Sequence, residues 1–569
     1  MLAGIEPATR GFSVHCSTTE LQHRFPNGTA KIDKNIQYAN FLKFLLMEYV
    51  EVILPLKLSW CPSYSAPVCL ARGTRVRVKL AGRDYSGVVY RSGVTPSVSL
   101  DKVQEVQEVL EDIPPVTEEE LLFWEFLSSY YMCSIGEVFK AAYPEGKRKV
   151  EGTRNARAAF KAASEASRPS TSVSVAGKPR ALVSADRLER YVEEVRRASS
   201  QGRQSLVLTP EKLFLRFLET PLREEFGESL HVFSSDMTPV RRRKVAEALR
   251  MDSRAVVLGT RSALFLPFCR LGAVVIDEEQ DTFYKQTEPA PRLHARDSAL
   301  ALARIHGASV LLGSSCPSLE TVFNCRCGKY DLLPTAAGVD GGRRCPEIVN
   351  VTEERAKNGL VGPLSRVLIR AIAATAGPVC LLRCWEDEEQ LALPSLFPGR
   401  DNICVKTLPE LKKEGAGGAL LLGVLQADAF ISKDDFRSDE RALQIASQLS
   451  SLCPRVIIQT AVPGRFELSR GADALLCERR DFGFPPYTRL IDVIVDDLSS
   501  KRLAYMTSLL SSRLGAPSLS DGVSRSRIRI VIPRGPGLQA RKDTILSSVR
   551  SFEQEVKYTS HIVIDVDPV

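Results

Sequence analysis

Along most of the chain, apolar positions recur either at every second residue, as on a half-buried strand, or about every 3.6 residues, as on one face of a helix. The first clean strand pattern opens near residue 47. It runs Tyr49-Val50-Glu51-Val52-Ile53-Leu54, then Thr74-Arg75-Val76-Arg77-Val78-Lys79, then Ser86-Gly87-Val88-Val89-Tyr90. These segments predict a small β domain over 47–112. In the second segment apolar residues alternate with Arg75, Arg77 and Lys79, which predicts a strand with a cationic outer face. That face reads either as plain solvated surface or as a surface for the phosphates of a nucleic acid. Residues 113–145 predict two short helices. Thr117 and Glu120 have capping-box spacing, Leu121, Leu122, Phe126 and Leu127 form an apolar face, and Ser134-Ile135-Gly136-Glu137-Val138-Phe139 restarts a helix.

From 181 to 335 helical and strand patterns alternate. The strands are Gln204–Leu208, Ala255–Leu258, Ala273–Ile276 and Ser309–Leu312. Such alternation predicts a parallel sheet covered by helices. Residues 336–485 carry weaker text of the same kind, with strands at Val379–Leu382, Ala419–Leu422 and Arg455–Ile458. Residues 486–569 predict an α+β domain ending in the strand Ile562–Asp567. Residues 1–46 are polar and aperiodic and read as an extraneous or disordered extension.

Composition narrows the class. Apolar residues make up 44% and charged residues 25%, which excludes collagen-like, disulfide-stapled and globally disordered chains. The most apolar run, Phe41–Leu56, is broken by Lys43, Glu48, Glu51 and Pro55, so no membrane span is expected. No secretory signal is read near Met1, so a cytoplasmic protein with reduced thiols is expected. Net charge is +8, and the excess is local: ten Lys or Arg against three Glu lie between Lys140 and Arg180. We read 146–180 as a basic linker suited to a polyanion. The close cysteine pairs are Cys325-x-Cys327 and Cys380-x-x-x-Cys384, and no C-x-x-C occurs, so zinc is not expected.

Candidate chemistry sits at Ile276-Asp277-Glu278-Glu279-Gln280, at the carboxyl end of a strand, where open α/β sheets bind ligands. A carboxylate there can hold Mg²⁺ and a second can orient a water for phosphoryl transfer. Gly259-Thr260-Arg261-Ser262-Ala263 ends the preceding strand and Gly313-Ser314-Ser315-Cys316-Pro317-Ser318 ends the next.

These segments, in order, resemble the PriA family, the primosomal protein N′, superfamily 2 DNA helicases of bacterial replication restart. The resembling text is Leu258–Phe268, Val275–Asp281, Tyr284-Lys285-Gln286, His294–Asp297 and Gly313–Ser318, with Ser205–Glu211 upstream. Downstream, Ala427-Asp428-Ala429, Asp435-Phe436-Arg437, Glu440-Arg441, Ile457–Thr460, Pro485-Pro486-Tyr487 and Ile564–Pro568 follow in family order. The resemblance implies a multidomain α/β fold. A 3′-DNA-end-binding β domain (47–112) and a winged-helix-like module (113–145) precede two RecA-like lobes (181–335 and a reduced 336–485 without the zinc module) and a C-terminal α+β domain (486–569). It also implies ATP and Mg²⁺ as cofactors. Forked, 3′-ended or single-stranded DNA and primosome or replication proteins are the implied partners, at the bacterial nucleoid. Arg75, Arg77, Lys79, Thr260, Arg261 and Lys285 are the expected DNA contacts.

This sequence departs from the family pattern at the nucleotide site. The phosphate loop should lie at 181–188, where the chain reads Ala181-Leu182-Val183-Ser184-Ala185-Asp186-Arg187-Leu188, with no glycine. Such a loop needs glycines so that backbone N–H groups can fold round the phosphates, a Lys for their oxygens and a Ser or Thr for Mg²⁺. Arg187 stands at the Lys position and Leu188 at the Mg²⁺ position. Gln280 replaces a His. After Gln448, where the family has an arginine finger, the chain reads Leu449-Ser450-Ser451-Leu452-Cys453-Pro454. Asp277 and Glu278 are therefore expected to be vestigial. The expected function is binding of branched or 3′-ended DNA in replication restart and primosome assembly without ATP-driven unwinding. The alternative is an active ATP-dependent 3′→5′ helicase with a divergent nucleotide site.

Overall fold

The computed structural model of the chain describes residues 48–144, 177–184, 186–334, 345–383, 393–431, 435–469, 471–556 and 561–568. The expected N-terminal extension, nearly all of the basic linker and Cys384 lie outside these residues.

The N-terminal sheet has the order β5-β2-β1-β4-β3-β6, with β1 Glu48–Ile53, β2 Ser63–Ala66, β3 Arg75–Leu80, β4 Arg83–Ser92, β5 Gln104–Glu105 and β6 Glu108–Val109. Val50, Val52, Val76, Val78 and Val89 form its core on one face. Helices α1 (Glu118–Tyr130) and α2 (Ile135–Ala142) pack beside it, and each opens with a full capping box, Thr117 with Glu120 and Ser134 with Glu137. The buried face of α1 is Leu121, Phe123, Trp124 and Leu127, while Leu122 is exposed. The expected face is rotated because α1 has neighbours on two sides. Trp124 stacks on Phe139 of α2 at 5.5 Å, and Phe123 meets Phe265 of the next unit at 6.2 Å. Gly136 lets α2 sit on the chain leaving β1: a Cβ there would lie 2.2 Å from the Leu56 carbonyl oxygen.

The first large sheet is parallel throughout, in the order β13-β7-β12-β11-β8-β10-β9. Its strands are β7 Arg180–Val183, β8 Gln204–Leu208, β9 Leu230–Phe233, β10 Val256–Gly259, β11 Leu271–Ile276, β12 Ser309–Ser314 and β13 Asp331–Leu332. Helices α3 (Leu188–Ser200), α4 (Lys212–Phe226), α5 (Pro239–Met251), α6 (Ala295–His306) and α7 (Leu319–Arg326) belong to the same unit. Its central strands β10 and β11 read as continuous apolar runs, as burial on both faces requires.

The second parallel sheet has five strands in the order β14-β20-β19-β17-β18. They are β14 Glu347–Asn350, β17 Val379–Arg383, β18 Ile403–Thr407, β19 Leu421–Val424 and β20 Arg455–Thr460, with a small hairpin of β15 (Leu360–Val361) and β16 (Leu364–Ser365). Its helices include α8 (Val351–Lys357), α9 (Arg366–Ala374), α10 (Leu408–Glu414), α11 (Ser438–Leu452) and α12 (Ala472–Asp481). The C-terminal unit is an antiparallel sheet, β22-β23-β21-β24, of β21 Thr488–Asp496, β22 Ser518–Ser520, β23 Arg525–Pro533 and β24 His561–Val566, with α13 (Ser500–Leu514) and α14 (Leu538–Glu555). The chain is thus a multidomain α/β protein with two RecA-like parallel-sheet lobes between a small β-rich unit and an α+β unit.

One buried apolar cluster crosses three of these units. It runs from Trp124 and Phe139 through Phe268 and Leu293 to Ile491 and Phe552.

Candidate functional site

The carboxyl edge of the first lobe's sheet brings together the segments singled out in the sequence. Strand β7 ends beside β12, where the Ser184 N–H donates to the Ser314 carbonyl (3.0 Å), and the Glu279 N–H donates to the Gly313 carbonyl (3.1 Å). Asp277 follows β11, on the other side of β12, and its N–H donates to the Leu208 carbonyl of β8 (2.9 Å).

At the phosphate-loop position the chain passes from β7 directly into α3. Arg187, the residue before that helix, turns its guanidinium inward. Nη2 donates to Asp277 Oδ1 (2.9 Å) and also pairs with Glu278; Nε donates to Asp277 Oδ1 (3.1 Å) and to the Tyr191 hydroxyl (3.0 Å); Nη1 donates to the Ser184 carbonyl (2.6 Å). Tyr191, one turn into α3, donates its own O–H to Asp277 Oδ1 (2.7 Å). The Tyr191 ring lies so close to β12 that a Cβ at Gly313 would fall 1.7 Å from its hydroxyl oxygen. Tyr284 closes the far side, donating to the Asp277 and Leu208 carbonyls (2.6 and 3.0 Å).

Glu278 adopts φ +47°, a left-handed conformation that costs a non-glycine residue about 1–2 kcal/mol. That turn brings its carboxylate back to Arg187 and to Gln280, whose amide donates to Glu278 Oε2 at 2.5 Å. Burial raises the Glu278 carboxyl above its ordinary pKa, against the opposing pull of Arg187. Gln280 accepts in turn from the Ser314 hydroxyl (2.6 Å), so the residue that replaces the family's His is a neutral bridge between β12 and Glu278.

The two lobes meet along this edge. Glu440 of α11 accepts from the Leu319 N–H of α7 (2.9 Å) and from Arg479 (2.6 Å), and Arg437 pairs with Glu320 (2.8 Å). Arg296 pairs with Glu279 (2.9 Å) within the first lobe. Where the resemblance expects an arginine finger, α11 presents Ser447 to Ser315 (3.1 Å) and Gln448 to Asp281 (3.4 Å). Ser450 is turned back onto the Ala446 carbonyl, and Leu449 is buried. The stretch Leu449–Pro454 supplies no cation to the seam. Among the described residues no group of three or more His, Cys, Asp or Glu gathers as a metal site.

The expected DNA-contact residues are scattered. Arg77 and Lys79 do face outward from β3, with Arg77 paired to Glu108 (2.6 Å). Arg75 does not. It is 5% exposed, and its guanidinium stacks on Phe139 (5.1 Å) and Tyr143 (4.7 Å). The expected cationic face is corrected here, because α2 covers that end of the strand. Thr260 and Arg261 lie at the end of β10. Arg261 Nη1 donates to the Phe283 and Lys285 carbonyls (2.9 and 3.2 Å), so it braces the loop it was expected to work beside.

Lys285 is the second correction. Its side chain has 0% exposure, and Nζ pairs with Asp565 (2.6 Å) and donates to the Val566 and Arg292 carbonyls (2.7 and 2.8 Å). It lies 5.7 Å from the centre of the Tyr131 ring. A fully enclosed ammonium with three partners ties the first lobe to the C-terminal strand and cannot touch DNA in this conformation. Nearby, Asp567 accepts from Tyr130 (2.8 Å) and Arg489 (2.7 Å). Sequence reasoning missed this interdomain lock, since its members are distant along the chain and belong to no local pattern.

Residues 51–144 match the family model of the PriA 3′DNA-binding domain, a span that takes in the N-terminal sheet together with α1 and α2. The chain is 29% identical over 340 residues to the replication restart protein PriA of Rickettsia felis, covering 57% of this chain and 51% of that protein. It is 38% identical over 176 residues to PriA of Haemophilus influenzae, covering 31% and 23% respectively. The chain thus spans about half the length, or less, of these curated relatives. Among solved structures, RecG bound to a three-way DNA junction is similar at 12% identity with a TM-score of 0.30, over 76% of this chain and 56% of that one. Residues 51–144 are thus a 3′DNA-binding domain of the PriA type, and the chain as a whole resembles the replication restart protein PriA over the stretches matched.

Proposed function

We propose that this protein binds branched or 3′-ended DNA in replication restart and primosome assembly, and does so without ATP-driven unwinding. The observation that carries the reading is Arg187. Its guanidinium fills the place between Asp277 and Glu278 with a fixed positive charge, so both carboxylates are already engaged from within. A nucleoside triphosphate with Mg²⁺ does not fit these residues. The β7–α3 connection has no glycine to wrap phosphates, Leu188 has no hydroxyl for the metal, and the facing lobe offers Ser447 and Gln448 in place of an arginine. The DNA-reading half of the proposal rests on the matched 3′DNA-binding domain and on the outward cations Arg77 and Lys79. We further propose Thr260 and Arg261 as contacts for a strand passing the carboxyl edge of the first lobe. The protein is proposed to act in the cytoplasm, at the nucleoid, with primosome or replication proteins as partners.

The alternative is an ATP-dependent 3′→5′ helicase that uses Asp277 and Glu278 after Arg187 swings away. It is favoured by one observation, the retention of both lobes in contact across that edge. Fluorescence anisotropy on a forked DNA with a free 3′ end, at two salt concentrations and with or without ATP, separates the two. The proposal expects binding that weakens steeply with salt and ignores ATP. It also expects an ATPase rate with single-stranded DNA equal to that of Asp277→Ala. An ATP-dependent shift in affinity, or an ATPase rate that Asp277→Ala abolishes, overturns it.

A further inference from the structure

The second lobe holds a thiol pair that the nucleotide and DNA sites leave unused. Cys380 on β17 and Cys404 on β18 are direct partners in the parallel register of the sheet. Directly paired residues on neighbouring strands point to the same face. Their Cα atoms lie about 4.8 Å apart, within the roughly 4.4–6.8 Å that a disulfide spans. The two thiols differ in access. Cys380 is fully buried in the lobe's core, whereas Cys404 is exposed on β18, the edge strand of the sheet.

Their chemistry differs as well. Hydrogen bonding with Cys380 holds the Cys404 thiol below its ordinary pKa, and the Lys406 ammonium helps. The same hydrogen bond pushes Cys380 up. Lys406 lies two residues along the same strand, on the same face, and its ammonium is fixed by the Gly415 carbonyl (3.0 Å) and Glu414 (3.2 Å). The other described cysteines whose thiols shift, Cys61, Cys69, Cys133, Cys269 and Cys325, all move upward.

We propose that Cys404 and Cys380 form an oxidant-responsive dithiol in which a hydroperoxide oxidises Cys404 and Cys380 then closes a disulfide across β17 and β18. In the first step the Cys404 thiolate sulfur attacks the outer peroxide oxygen. An S–O bond forms, the O–O bond breaks, and the released alkoxide or hydroxide takes a proton to leave as alcohol or water. In the second step Cys380 gives up its proton and attacks the Cys404 sulfur. The S–S bond forms, the S–O bond breaks, and hydroxide leaves as water. The two thiols supply both electrons. Since Cys380 is shielded from solvent, it reaches oxidant through Cys404 alone. Strand β18 runs directly into α10, which packs on α4 of the first lobe, so the bond would staple the edge strand that carries one side of the seam between lobes.

The test treats the full-length protein with a small excess of hydrogen peroxide, blocks free thiols with iodoacetamide, and maps the unreduced digest by mass spectrometry. The expected product is a peptide pair joined through Cys380 and Cys404, two hydrogens lighter than the separate peptides and released by dithiothreitol. Cys404→Ala should leave Cys380 reduced, and Cys380→Ala should let Cys404 proceed to sulfinic acid. Recovery of Cys404 as the alkylated thiol, its overoxidation in the wild type, or a disulfide from Cys404 to Cys453 or Cys384 overturns the proposal. The wild-type map decides the matter even if a variant folds poorly.

Discussion

Arg187 shows how one side chain alters what a sheet edge can do. A guanidinium has five N–H donors in a rigid fork, and here the fork is spread over two carboxylates, a hydroxyl and a carbonyl. Removing it leaves two buried carboxylates facing each other. Arg187→Ala is expected to lower unfolding free energy by about 3–5 kcal/mol, read by urea denaturation. The loss should shrink as pH falls, because the already raised Glu278 carboxyl can take a proton and remove one of the two charges. A loss that is constant with pH would contradict this account.

His294 gives a second residue-scale prediction. Burial, together with Arg296, Lys285 and Arg437 nearby, lowers its imidazole from 6.5 to about 3, with Asp297 opposing. The folded state therefore holds a neutral ring where the unfolded chain binds a proton, and stability should fall as pH drops from 6.5 toward 3. The expected slope from this group is at most about 1.4 kcal/mol per pH unit. His294→Gln should flatten that part of the curve in thermal melts recorded across the window.

At the scale of elements, sequence pattern was a good guide wherever one neighbour dominates. Gln204–Leu208 is observed as read, and the capping box at Thr117 and Glu120 closes on both sides. Buried parallel strands announce themselves because both faces are apolar. The apolar face of α1 was legible only in part, because Phe123 answers to Phe265 in another unit and no local period encodes that contact. The same reason explains Arg75. Alternation along β3 assigned it correctly to the face opposite Val76 and Val78, but that face is covered by α2, with Phe139 and Tyr143 over the guanidinium. Two expectations follow for these helices. Thr117→Ala should cost about 1 kcal/mol through the lost cap. Gly136→Ala should cost more, since its Cβ would strike the Leu54 and Leu56 carbonyl oxygens, which are backbone and cannot rotate away. Chemical denaturation of both variants side by side checks the order.

The molecule as a whole is held by contacts that no segment contains alone. The candidate nucleotide edge was readable from motif order, and its lack of glycine was visible in eight consecutive residues, Ala181–Leu188. The interdomain lock was not. Lys285 looked like a cation beside a family motif, and only the fold shows it enclosed by Asp565 and Val566 of β24. Lys285→Met should cost about 3–5 kcal/mol by stranding a buried carboxylate. In calorimetry it should split one cooperative transition into separate steps for the first lobe and the C-terminal unit. A single unshifted transition would show that the lock carries no interdomain coupling.

The Lys285 contact also sets a schedule for synthesis. Its partner Val566 lies 281 residues farther along the chain. At about 5–20 residues per second, that interval corresponds to roughly 15–60 s on the ribosome. Throughout it the first lobe has to keep its Lys285 ammonium hydrated, so the slot that later takes β24 stays open while the second lobe is being made. The lobe's enclosure of Lys285 is therefore completed by a strand made long after the lobe itself.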